Sequence, residues 1–112
     1  MTELILKKES GSIVFFEGKG HTGYAEEGSD IVCASVSSVL WCTVNGLINV
    51  LNIPVSYEEK DGFLSCEIRC AGRKRTEADI LLRSMELFID ELHKQYPAFV
   101  KKSEDKDVRN KY

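Results

Sequence analysis

The hydrophobic and polar positions divide the chain into short β-patterned stretches, one long uncharged run and one amphipathic run. Residues 3–8 and 13–17 (Ile-Val-Phe-Phe-Glu) are rich in aliphatic, β-branched and aromatic side chains. They flank Glu9-Ser10-Gly11-Ser12, and this arrangement predicts a β-hairpin. No charged residue occurs from Ile31 to Tyr57. A helix over 31–52 is expected there, stopped by Ile53-Pro54, because the residue before a proline is pushed towards extended geometry. Residues 55–58 form a third predicted strand, and Asp61-Gly62 is a short-range hairpin signal. Residues 63–70 alternate, with Leu64, Cys66, Ile68 and Cys70 as the apolar face of a fourth strand. A helical stripe follows: Ile80 or Leu81, then Met85, Phe88 or Ile89, Leu92 and Tyr96. Thr76 and Asp79 have capping-box spacing at its start, and Pro97 stops it.

The predicted order ββαββα implies an α+β fold, an antiparallel four-stranded sheet packed with two helices. Residues 1–97 form the domain. Residues 98–112 are expected to be a charged, solvated and mobile tail, from which only Phe99 and Val100 could tuck back. The run 31–52 is apolar on most faces, so it should be buried by the sheet, the second helix and another subunit, which makes the chain a homodimer. Trp41, Val44, Leu47, Ile48 and Leu51 are its expected sheet-facing residues. About 20 apolar residues could also cross a bilayer. Seven Ser, Thr and Asn side chains (Ser35, Ser37, Ser38, Thr43, Asn45, Asn49, Asn52), with no flanking Lys or Arg, argue against a membrane.

Composition narrows the classes. One hundred and twelve residues suit one domain. A net charge of −3 argues against a general nucleic-acid binder. The four cysteines are Cys33, Cys42, Cys66 and Cys70, and no basic-then-apolar leader opens the chain, which points to reduced cytoplasmic thiols. Cys66 and Cys70 share a strand face but lie too far apart to bridge comfortably. Without a CxxC, no metal or other cofactor is expected.

Chemistry concentrates between Gly20 and Ser37. Asp30 immediately precedes the apolar run, where a helix N-cap belongs. Cys33 would then lie in the first turn, where the helix end favours a thiolate and unpaired N–H groups can hold an anion. His21, twelve residues upstream in a Gly-flanked loop, could fold back as the base of a Cys–His pair. A first-turn Cys in an apolar helix is more often a small buried hydrophobe, and a loop histidine more often a solvated turn residue. The loop holds Gly23, Gly28, Glu26 and Glu27. It reads either as a solvated connection or as a lid whose acids attract a basic peptide. Tyr24 either packs under that lid or lines a substrate pocket. Ser37 is one helical turn after Cys33 on the same face. The basic turn 72–75 is more often a solvated turn than a phosphate or rRNA patch. His93, the second histidine, is expected to be exposed near a helix end and is the weaker candidate base.

The run G-H-x-x-x-A-E-x-G-x-D-I-V-C-A-x-V-S, from Gly20-His21 through Asp30-Ile31-Val32-Cys33-Ala34-Ser35-Val36-Ser37, resembles the ribosomal-processing cysteine protease family called Prp. Gly20, His21, Ala25, Gly28, Asp30, Cys33, Ala34 and Ser37 fall in place without a gap. The resemblance implies a small cytoplasmic cysteine endopeptidase that removes an N-terminal extension from a large-subunit ribosomal protein, cutting after paired aromatics. It implies Cys33 as nucleophile and His21 as general base, with Asp30 and Ser37 supporting the site. The alternatives are a non-catalytic ribosome-assembly or tail-binding protein and, more remotely, a thiol-dependent hydrolase or transferase of small acyl compounds.

Overall fold

The computed structural model describes residues 2–20 and 29–105. Strands β1 (Thr2–Glu9) and β2 (Ser12–Gly20) form the expected hairpin, followed by helix α1 (Ser29–Asn45) and a π-helical continuation, Gly46–Val50. Strands β3 (Val55–Lys60) and β4 (Phe63–Ile68), helix α2 (Gly72–Gln95) and strand β5 (Val100–Asp105) complete the described elements. The sheet order is β3-β4-β2-β1-β5. All pairings are antiparallel except β1 with β5, which is parallel.

The fold class is therefore α+β as expected, but the sheet is five-stranded and mixed, not four-stranded and antiparallel. The order is ββαββαβ. The difference lies in residues 100–105, expected to belong to a solvated tail. An edge strand pairs through its backbone and does not need an apolar sequence. In β5, Val100 is fully buried, Lys102 reaches Glu86 and Asp90 at 2.9 and 2.7 Å, and Glu104 meets Lys8 at 3.1 Å. The rest of the tail, residues 106–112, lies outside the described residues.

The core is one cluster between the sheet and the two helices. Thr2, Leu4 and Leu6 of β1, Ile13 and Phe16 of β2, and Leu64, Cys66 and Ile68 of β4 point into it. From α1 it receives Val32, Val36, Leu40 and Val44, from the π-helical continuation Leu47, and from α2 Ala78, Leu82, Met85, Ile89 and Leu92. Spacings of three and four put each set on one helix face. Val44 and Leu47 face the sheet as expected, while Trp41 lies over the β3–β4 side, partly exposed. Ile31–Val50 is long and apolar enough to cross a membrane, but its Val32–Leu47 stripe is used as core. Gly18 lets α1 approach, because a methyl group there would collide with the Leu40 side chain.

Two local expectations change. Helix α2 starts at Gly72 with a positive φ of 64°, so Thr76-Asp79 is not its cap. The basic segment 72–75 is instead the first helical turn. There Arg75 binds Asp79 and the Ile13 carbonyl, Ser12 donates to Asp79, and Lys74 donates to the Leu51 carbonyl. His93 is exposed as expected, and its Nδ1 lies 2.6 Å from the Val100 carbonyl at the start of β5.

Glu86 is buried and joins three cations: Lys8 at 3.3 Å, Lys102 at 2.9 Å and Arg83 at 2.8 Å. Burial works to raise its pKa, but hydrogen bonds from Lys102, Arg83 and Lys8 win and hold it below the usual carboxylate range. The stability it contributes is present above its unfolded pKa of about 4.3 and is lost as pH falls through the lower folded value. Glu86→Gln should cost about 3 kcal/mol at neutral pH, because it breaks a buried pair from one side. Chemical denaturation across pH 2–7 checks this. An unchanged stability and an unchanged acid limb would contradict it.

Candidate functional site

The functional candidates collect where the end of β2, the start of β1 and the N-terminal part of α1 meet. Helix α1 begins at Ser29. Asp30 is therefore its second residue rather than the residue before it, and Cys33 is the fifth rather than the third. Two good N-terminal residues, Ser29 and Asp30, stand in succession, and the helix extends back to the first. The effect on Cys33 is moderate. A helical Cα–Cβ bond tilts towards the N-terminus, so the sulfur still leans over the first turn and its N–H groups.

The sulfur meets two strand residues. Thr2 Oγ1 lies 2.7 Å from Cys33 Sγ. Gly20 lies beside both: a methyl group on it would sit 3.5 Å from Thr2 Oγ1 and 3.7 Å from Cys33 Sγ. Gly20 is fixed by its pairing with Thr2 and by its N–H donating to the Gly62 carbonyl at 2.9 Å. Gly62, with a φ of 72°, turns the tip of the β3–β4 hairpin onto the end of β2, where a side chain would strike the Gly20 carbonyl. Cys33 is partly exposed, unlike Cys66, whose thiol burial pushes up to about 12. All four cysteines are free thiols.

A cleft of about 400 Å³ opens beside the sulfur. Cys33, Val36, Ser37, Leu40 and Trp41 form its helical wall, and residues 59–64 of the hairpin form the other. Ser37 thus shares the cleft with Cys33, as the one-turn spacing predicts. Trp41 Nε1 donates to Glu59 at 3.0 Å, and its ring meets Tyr57 edge-on at 5.7 Å, tying the hairpin to the helix. Leu40, Trp41 and Phe63 give apolar surface, while Lys19, Glu59, Lys60 and Asp61 supply balanced charge at the rim. His21, Tyr24, Glu26 and Glu27 lie outside the described residues, and so does the Asp30 side chain.

Thr2 and the Trp41–Glu59 contact were missed by sequence reasoning. Trp41 was assigned to the core by its place in an apolar run. Thr2 carried no signal, since its role depends on strand pairing across the chain. No group of three or more His, Cys, Asp or Glu with metal-holding geometry occurs among the described residues.

The profile of the family described as Cysteine protease Prp matches residues 1–101. The ribosomal processing cysteine protease Prp of Staphylococcus aureus is 28% identical over 94 residues, covering 82% of this chain and 87% of the relative. The fold is similar to a crystal structure of an essential ribosomal processing protease Prp from S. aureus in complex with a substrate peptide. The TM-score is 0.84 at 21% identity, over 94% of this chain and 100% of that one. A structure of the same S. aureus protease with a covalently linked product peptide is similar with a TM-score of 0.80, also at 21% identity, over 94% and 100% of the two chains.

Proposed function

The chain belongs to the cysteine protease Prp family, and on that footing we propose that Cys33 is its nucleophile and His21 its general base. The substrate is a large-subunit ribosomal protein, from which the enzyme removes an N-terminal extension after paired aromatic residues. The observation that carries this is the position of Gly20 against the Cys33 sulfur. The next residue in the chain is His21, joined to Gly20 by a single peptide bond.

Cys33 Sγ attacks the scissile carbonyl carbon and forms a tetrahedral intermediate. N–H groups of the first turn of α1 donate hydrogen bonds to the developing oxyanion. His21 takes the thiol proton and passes it to the leaving amine as the C–N bond breaks. Water, deprotonated by His21, then attacks the thioester carbon, the C–S bond breaks, and the proton returns to sulfur. Thiol and imidazole suffice for this acyl transfer, with no cofactor or metal. Asp30 steadies the start of α1, Ser37 supports the nucleophile's face, and Gly20 holds the strand end beside the sulfur. Leu40, Trp41 and Phe63 offer apolar surface to aromatic side chains of the peptide. Because charge at the described rim is balanced, attraction of a basic peptide falls to Glu26 and Glu27, with Tyr24 lining the same approach. The reaction belongs in the cytoplasm, where ribosomes are assembled, and involves neither direct nucleic-acid binding nor a membrane.

We also propose that the protein is a homodimer. Val50 and Ile80, 75% and 71% exposed, flank an apolar groove between the end of α1 and α2 that a second copy would cover. Sedimentation equilibrium should give twice the chain mass, and Ile80→Glu should give the monomer. A monomeric parent protein would remove this proposal.

The test of the protease assignment uses a peptide spanning the extension of the organism's own ribosomal protein. Cys33→Ala and His21→Ala should lose cleavage by at least about 1000-fold while keeping the fold, and Cys33→Ala should still bind the peptide. Glu26→Gln with Glu27→Gln should raise KM most at low salt. Parent-level cleavage by Cys33→Ala would refute Cys33 as the nucleophile, and a parent protein that binds the peptide without cutting it would leave the non-catalytic binding protein.

A further inference from the structure

Thr2 is an ordinary strand residue by sequence, yet it is 4% exposed and its hydroxyl oxygen lies 2.7 Å from Cys33 Sγ. Its backbone is held from both sides. Thr2 pairs with Gly20 of β2 and Val100 of β5, and its N–H donates to the Phe99 carbonyl at 2.7 Å. The alternation of β1 then directs its side chain to the core face, together with Leu4 and Leu6. Gly20 lies beside both groups, within ordinary contact distance of hydroxyl and sulfur.

A buried hydroxyl needs a partner, and a neutral thiol is a weak one in either direction. A thiolate is a much better acceptor, since hydrogen bonds to an ionised group are about twice as strong as neutral ones. The hydroxyl therefore favours the charged form of the sulfur. We propose that Thr2 is a positioning residue of the nucleophile, its hydroxyl donating to the Cys33 thiolate and fixing the sulfur towards the cleft. This rests on the assignment of Cys33 as nucleophile. It further makes β5 part of the site's support, because β5 and Gly20 together set where the hydroxyl points. Thr2 itself does not touch the peptide: it acts through the sulfur.

The experiment is the pH profile of iodoacetamide alkylation of Cys33, resolved by peptide mapping, in the full chain and in Thr2→Val and Thr2→Ser. Thr2→Val keeps shape and removes the donor. Its alkylation midpoint should rise by about one pH unit, the equivalent of losing one hydrogen bond to a charge. Its kcat at neutral pH should fall about tenfold with KM unchanged, and Thr2→Ser should restore both. A folded Thr2→Val with the parent midpoint would overturn the proposal, because a purely packing role predicts no shift. If Thr2→Val does not fold, Thr2→Ala serves in its place under the same two outcomes. Should Cys33→Ala retain cleavage, the protease assignment fails while the alkylation midpoint still decides the Thr2–Cys33 contact.

Discussion

Helix α1 can lie close enough to the sheet to bring its N-terminal sulfur to strand level because β2 carries a glycine at 18. Leu40 sits on Gly18, and the space over Gly20 is shared by Cys33 Sγ and Thr2 Oγ1. Cys33, Val36 and Leu40 follow one another at spacings of three and four, so they lie along one helix face. Seating Leu40 on β2 therefore sets the height of Cys33 above Gly20. A larger residue at position 18 would lift the helix and separate the sulfur from both strand residues. Core packing and site geometry are here one constraint, acting through the same helix face.

The C-terminal strand extends that constraint around the sheet. β5 pairs with β1 in parallel and ends the sheet beside Thr2. Its Lys102 enters the buried carboxylate cluster of Glu86, which also draws on Lys8 of β1 and Arg83 of α2. The charged chain end thus joins the first strand to the second helix. On the other side, Trp41 binds Glu59 and so fixes the hairpin wall of the cleft. The cleft itself is lined by β1, β2, α1 and the β3–β4 hairpin.

What was legible in the sequence follows its physics. The two hairpins, the uncharged helix and the amphipathic helix are written in periodicity and turn residues, with Gly11 and Asp61-Gly62 at the turns. That Gly20, Cys33 and Ser37 share one cleft was legible from local spacing and from a long ungapped resemblance. β5 was not, because Lys101-Lys102-Ser103-Glu104-Asp105 has no apolar alternation and gains its place through backbone pairing and ion pairs. The N-cap reading of Asp30 is displaced by two positions, because Ser29 is already helical. Trp41 was misassigned because an uncharged run does not reveal which of its faces meets a cleft. Thr2 was invisible because its meaning arises only once residues 2, 20, 33 and 100 are brought together.

The central claim is that peptide-bond cleavage passes through a covalent bond to Cys33. Its most direct test is an acid quench of the enzyme during turnover of the ribosomal-protein peptide, followed by intact-mass measurement and peptide mapping. The account predicts a species heavier by the acyl portion of the substrate, mapped to Cys33 and absent in Cys33→Ala. An acyl group mapped to Cys42, Cys66 or Cys70 instead would contradict it.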